Sequence, residues 1–149
     1  MTDTITTDTE SVTLERTFDA APGELWRYLT APELLEKWSC GRTYRHITMD
    51  LDLRLGGVIH HRVESLSDGS PWTFHGVYEE IDPGHKLGYT FDWKADWRQP
   101  PSPSKVTIEI FADGDGSRLS LEHSGVPEPA QGSTVSHWSE FLEVLAEQI

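Results

Sequence analysis

The sequence predicts an α+β fold: one antiparallel sheet, two short helices after its first strand, and a long C-terminal helix lying on the sheet. Three observations lead there. Two proline-opened amphipathic segments occur early, alternating segments separated by turn residues fill about 44 to 123, and the chain closes on a stripe with helical period. At 149 residues the chain suits a single domain, and a domain of this size buries about 70% of its unfolded surface, enough for a core that encloses a cavity.

Residues 1–10 are polar and threonine-rich without periodicity, which predicts a disordered lead-in; the folded domain is expected over 11–149. In "SVTLERTFDA" Val12, Leu14 and Phe18 alternate with polar residues as in a half-buried strand, with Arg16 the polar member of that face. "DAAPGELWRYLTAPELLEKW" follows. Asp19 is placed to cap a helix with Pro22 in its first turn and Leu25, Trp26 and Leu29 on its apolar stripe. Pro32 ends that helix and opens another carrying Leu34, Leu35 and Trp38.

Six strands are expected next: "YRHITMDLDLRL", "GVIHHRVES", "WTFHGVYEEI", "KLGYTFDW", "KVTIEIFA" and "SRLSLEHS". Their separators "GG", "SDGSP", "DPGH", "QPPSPS" and "DGDG" are turn signals, and connections this short make consecutive strands antiparallel neighbours in a meander. In the last segment Trp138, Phe141, Leu142, Leu145 and Ile149 share one helical face, with Ser133 or Ser136 as the expected cap. The sheet is the one large surface on which that face can lie.

Composition narrows the function. Lys and Arg number 12 against 25 Asp and Glu, a formal charge of -13, which repels a phosphate backbone and argues against nucleic acid as a partner. Cys40 is the single cysteine, so neither an internal disulfide nor a thiolate metal cluster is expected. The N-terminus lacks a basic, apolar leader and no long apolar run occurs, so a cytoplasmic protein without membrane insertion is expected. Six Trp, four Tyr and five Phe supply bulky apolar surface, some of it available to line a cavity. An exposed strand edge is a place where two copies could pair as a homodimer.

His60 and His61 are adjacent on a strand and therefore point to opposite faces. Ile59 and Val63 put His61 on the inward face, while His60 shares the other with Arg62 and Glu64. By the same alternation Leu119 and Leu121 carry His123 inward, and His137 begins the helix that covers that face.

The element order and several motifs resemble a known superfamily. The motifs are "RTFDAAPGELWRYLTAPELLEKW" at 16–38, "DLRLGG" at 52–57, "HGVYEEIDPGHKLGYTF" at 75–91, "SRLSLEH" at 117–123 and the Trp of "SHW" at 138. Together they resemble the START-like (SRPBCC, Bet v 1-like) helix-grip superfamily, and within it the branch named for the activator of the heat-shock protein 90 ATPase, in its single-domain form. The resemblance implies a sheet curled around the last helix and an apolar cavity between them. His137 stands where that branch usually has Gly, which implies a shifted last helix or a titratable group in the cavity.

On this basis the candidate ligand-binding residues are Trp38, Ile59, His61, Tyr89, Phe91, His123, His137, Trp138 and Phe141. An apolar space with a few convergent polar groups is the form of a small-molecule site of ~300 to 1,000 Å³. Each inward histidine could instead simply fill the core on a hydrogen bond. Burial is expected to keep these rings neutral, able to orient a ligand carbonyl or hydroxyl or act as a weak base.

No metal is expected, since no local spacing such as HExxH fixes two histidines on one element. The Asp113 loop has Ser124 rather than Glu at its twelfth position, which reads as a hairpin turn rather than a calcium loop. No GxSxG elbow or phosphate loop is present and Cys40 reads as a packing residue, so neither a catalytic set nor a cofactor is expected.

The leading reading is non-enzymatic binding of a hydrophobic or aromatic small molecule. Two others stay open on the resemblance: a co-chaperone or stress-response partner of a chaperone, a role that in eukaryotic members also uses an additional N-terminal domain, and a cyclase- or aromatase-like enzyme using pocket histidines.

Overall fold

The computed structural model describes residues 4–8, 10–95 and 104–149. Chain order runs β1 Thr4–Thr7, β2 Ser11–Phe18, α1 Pro22–Thr30, α2 Pro32–Leu35, β3 Tyr44–Leu51, β4 Val58–Ser65, β5 Pro71–Asp82, β6 Lys86–Ala95, β7 Ser104–Asp113, β8 Gly116–Ser124 and α3 Glu128–Gln148. The strands form one curved, open antiparallel sheet in the order β1-β2-β8-β7-β6-β5-β4-β3. The expected meander is the run from β3 to β8, and β2 closes onto β8 through pairs such as Leu14 with Leu121. Among the described residues no helix is long and apolar enough to cross a membrane.

Three expectations change. Thr4–Thr7, expected within a disordered lead-in, pair with β2 as an edge strand, Ile5 opposite Leu14. A polar segment can do this because an edge strand buries little, and every residue of β1 is exposed. The lead-in's residues 1–3 and 9 lie outside the described residues, as does the "QPPSPS" turn apart from Ser104.

Helix caps also differ. Ala21, not Asp19, is the N-cap of α1, without a side-chain hydrogen bond. Helix α3 starts at Glu128 after Pro127, ahead of both expected serines, because Pro129 needs no amide partner in a first turn. The apolar face still falls where its period puts it: Trp138, Phe141, Leu142, Val144 and Leu145 are buried. Each such side chain contributes roughly 2 kcal/mol. They pack with Val12, Leu14, Leu119 and Leu121 from β2 and β8 and with Val106 and Ile108 from β7.

Two irregularities re-aim side chains. Between His46 and Thr48 the register of β3 against β4 slips by one residue. His46 pairs with Val63 and Met49 with His61, so the extra residue, Ile47, turns outward and both His46 and Met49 share the face of His61. A second slip separates Tyr78 from Glu80 on β5 and keeps Tyr78, opposite Tyr89, in the core. Nearby, a Cβ on Gly76 would meet the Thr90 carbonyl oxygen at 1.7 Å, so only glycine lets β5 and β6 approach there.

Candidate ligand-binding site

Strand alternation places the histidines. His61 and Val63 are buried and Ile59 half-buried, while Arg62 is exposed and His60 lies on the outer face opposite His75. His61 thereby lines an apolar hollow of about 90 Å³ between the sheet, the α1–α2 region and α3. Leu29, Leu35, Trp38 and Ser39 form its helical wall, Met49, Ile59, Phe74, Gly76, Tyr78, Tyr89 and Phe91 its sheet wall, and Trp138 and Phe141 its cover. Trp38 is held in place by donating its indole N–H to the Tyr28 carbonyl at 2.8 Å. Phe74 and Phe91 stack at 5.7 Å, and Phe141 meets Trp138 edge-on at 5.6 Å. Aromatic pairs of this kind stiffen a wall beyond what burial alone gives.

Seven of the nine expected residues therefore share this hollow: Trp38, Ile59, His61, Tyr89, Phe91, Trp138 and Phe141. The other two do not line it. His123 is buried, but both of its nitrogens are used by the protein: Trp138 Nε1–H donates to Nδ1 at 2.9 Å, and Nε2 lies 2.6 Å from Ser104 Oγ. Ser104 itself donates to the Phe91 carbonyl at 2.9 Å, so its oxygen accepts the Nε2–H of a neutral His123. This ring fixes Trp138 and ties β8 to β6 and α3; it has no nitrogen left for a ligand. His137 is half-buried beside the rings of Tyr44 and Phe141, at 6.4 and 6.2 Å, because one turn of helix sets it above Phe141 and away from the hollow.

Burial holds His61 well below the ordinary imidazole value, at about 4, helped by the neighbouring His46 and His60 rings. His123 is likewise held at about 4 by burial alone. Burial pushes the Cys40 thiol up to about 11, with the Glu36 charge adding to it, so Cys40 is a neutral packing thiol rather than a nucleophile. Burial also raises the Tyr78 hydroxyl to about 12 and raises that of Tyr89, although part of the Tyr89 residue remains accessible. His61, Tyr78 and Tyr89, which line the hollow, are thus uncharged near neutral pH.

Three polar neighbours escaped the sequence reading. His46 Nδ1 lies 3.1 Å from His61 Nε2, Glu36 lies 3.1 Å from His46 Nε2, and Cys40 Sγ lies 3.7 Å from His61 Nε2. Ser39 Oγ is buried with no hydrogen-bond partner among the described residues. No group of three or more His, Cys, Asp or Glu among the described residues is arranged to hold a metal ion.

The comparison with known proteins adds the decisive observation. Residues 19–149 match the model of the family described as activator of Hsp90 ATPase homolog 1-like protein. The chain belongs to this family. The match takes in every residue lining the hollow. The activators of 90 kDa heat shock protein ATPase homolog 1 of Mus musculus and Homo sapiens are each 26% identical over 132 residues, 87% of this chain but 34% of theirs. The chain thus spans about a third of the length of these curated relatives.

Solved structures agree on the fold. Protein CV1439 of Chromobacterium violaceum is 24% identical with a TM-score of 0.82, covering 93% of this chain and 96% of its own. The AHSA1 protein SPO3351 of Silicibacter pomeroyi has the same identity, 24%, and the same two coverages, 93% and 96%, with a TM-score of 0.80. CalU16 of Micromonospora echinospora, 22% identical with a TM-score of 0.70, covers 98% of this chain and 83% of its own. The helix-grip expectation holds for the family and for the architecture.

Proposed function

We propose that this protein binds a small apolar or aromatic molecule in the hollow between its sheet and α3. The observation that carries the reading is a lining of aromatic and aliphatic side chains into which one neutral imidazole, His61, projects. Such lining, with few polar groups, suits a ligand that is mostly hydrocarbon with one polar point. Size narrows the class. A volume of about 90 Å³ is below the ~150 Å³ of an engineered cavity that takes benzene, so one ring is the upper size, and it is admitted by a small outward movement of side chains such as Met49, Ile59 or Leu35. A multi-ring ligand would require α2 or β3 to shift outward. A reducing, cytoplasmic location fits this reading, since Cys40 is a free thiol.

The test is stabilisation by ligand. Toluene or phenol at a hundredfold its dissociation constant is expected to add about 2.7 kcal/mol to unfolding by denaturant, and Ile59→Phe, which fills the hollow, is expected to abolish the gain. No stabilisation by any one-ring compound would overturn the reading.

A second reading, association with a chaperone, is favoured by a different observation. Leu53, Leu55, Val58 and Val77 are exposed around the β3–β4 connection and where the start of β4 pairs with the middle of β5, with Leu55 at 64% and Val58 at 54%. Exposed apolar groups gathered this way suit a protein partner. Stimulation of a heat-shock ATPase by the wild type, lost in Leu55→Glu, is the expected result on that reading.

A further inference from the structure

His61 reaches the hollow at the end of a chain of side chains that begins at the surface. The half-exposed Glu36 carboxylate lies 3.1 Å from His46 Nε2, and His46 Nδ1 lies 3.1 Å from His61 Nε2. A carboxylate only accepts, so on a neutral His46 the proton sits on Nε2 and donates to Glu36. His46 Nδ1 is then a lone pair, and the group that fills it is the Nε2–H of His61. The Cys40 sulfur, 3.7 Å from the same nitrogen, is a weak acceptor compatible with that proton. Among the described residues, the side-chain hydrogen bonds of His61 all involve Nε2. Its Nδ1 is left as a lone pair on a ring that lines the hollow.

We infer that the hollow selects a one-ring phenol, whose hydroxyl donates to His61 Nδ1 while its ring lies among Phe74, Phe91 and Trp138. The inference rests on the hollow being a ligand site and adds the polar group that the site recognises. An ether or ketone of the same size would bring a lone pair against the lone pair of Nδ1, so it loses the bond and keeps the desolvation cost. Phenols exceed aliphatic alcohols here because their hydroxyl is the stronger donor and their ring matches an aromatic wall. Ser39 lines the same hollow, and its unpartnered hydroxyl can donate to the phenol oxygen. Glu36 and His46 are positioning residues: they touch no ligand and act by fixing which nitrogen of His61 carries the proton.

The test uses the full chain at pH 8 with phenol, anisole and toluene as probes, and reads affinities by protein NMR titration together with the imidazole nitrogen shifts of His61. Phenol is expected to bind about tenfold more tightly than anisole, and His61 to carry its proton on Nε2 before any probe is added. Glu36→Gln, whose amide oxygen still accepts from His46, is expected to keep both results. Glu36→Leu is expected to mix the two tautomers and lower the phenol preference several-fold. Toluene binding with phenol no better than anisole would overturn the inference and leave the hollow as an apolar site. Binding by none of the three would overturn the site itself. A proton on Nδ1 of His61 in the wild type, or an unchanged tautomer in Glu36→Leu, would refute the part assigned to Glu36 and His46.

Discussion

Acidification attacks this fold through two buried imidazoles. His61 and His123 are each about 5% exposed, and each is held at about 4 against an ordinary 6.5. Because the folded value lies below the unfolded one, the unfolded chain binds more protons between these limits. Stability is therefore fully present above about 6.5 and falls as pH drops toward 4. A difference of this size is worth roughly 3 kcal/mol per ring in full, about 2 kcal/mol of it already lost at pH 5. Two rings together threaten a large part of the 5–15 kcal/mol typical of a domain. Urea unfolding followed by tryptophan fluorescence from pH 7.5 to 5 measures the loss. His123→Gln, whose amide can both accept from Trp138 and donate to Ser104, and His61→Gln are each expected to flatten the profile by about half. A wild-type midpoint that holds steady over this range would refute the burial argument, as would a profile untouched by both substitutions.

Further outcomes follow from single contacts. Gly76→Ala sets a methyl group 1.7 Å from the Thr90 carbonyl oxygen and should cost about 3 kcal/mol or more, read as a lower urea midpoint. Trp138→Phe removes the donor to His123 Nδ1, leaving a buried acceptor unpaired; a loss of about 2 kcal/mol is expected by the same assay. Cys40, buried and raised to about 11, should react with iodoacetamide at pH 8 far more slowly in the folded protein than in urea. Arg42 pairs on the surface with Glu143 and Glu147 of α3, so Arg42→Gln should shift stability by less than about 1 kcal/mol.

What could be read from the chain follows the physics of period. Strand alternation placed His61 beside Val63 and away from His60, and the helical stripe Trp138, Phe141, Leu142, Leu145 placed α3 on the sheet, because both depend on neighbours a few residues away. His123 was read as inward and is buried, but alternation says nothing of its partners. Ser104 and Trp138 come from β7 and α3, and their claim on both ring nitrogens is visible only once the strands are paired. The bulge at Ile47 is the clearest loss. Simple alternation sets His46 and Met49 on opposite faces, and the slip that joins them carries no composition signal. Glu36 then meets His46 across a turn after α2, a contact between segments that no spacing rule encodes. His137 differs in another way: it lies inside the right helix, which starts earlier at Glu128, and its rotation sets it against Tyr44.

The proposed function requires an apolar interior that admits a one-ring guest beside His61. A nitrogen-resolved NMR titration of the wild type with toluene tests this most directly. The expected result is a saturable change at the indole N–H groups of Trp38 and Trp138 and at the Gly76 amide, with the outer-face Val58 amide unmoved. Shifts spread over the exposed leucines near Leu55, or none at any of these three groups, would contradict it.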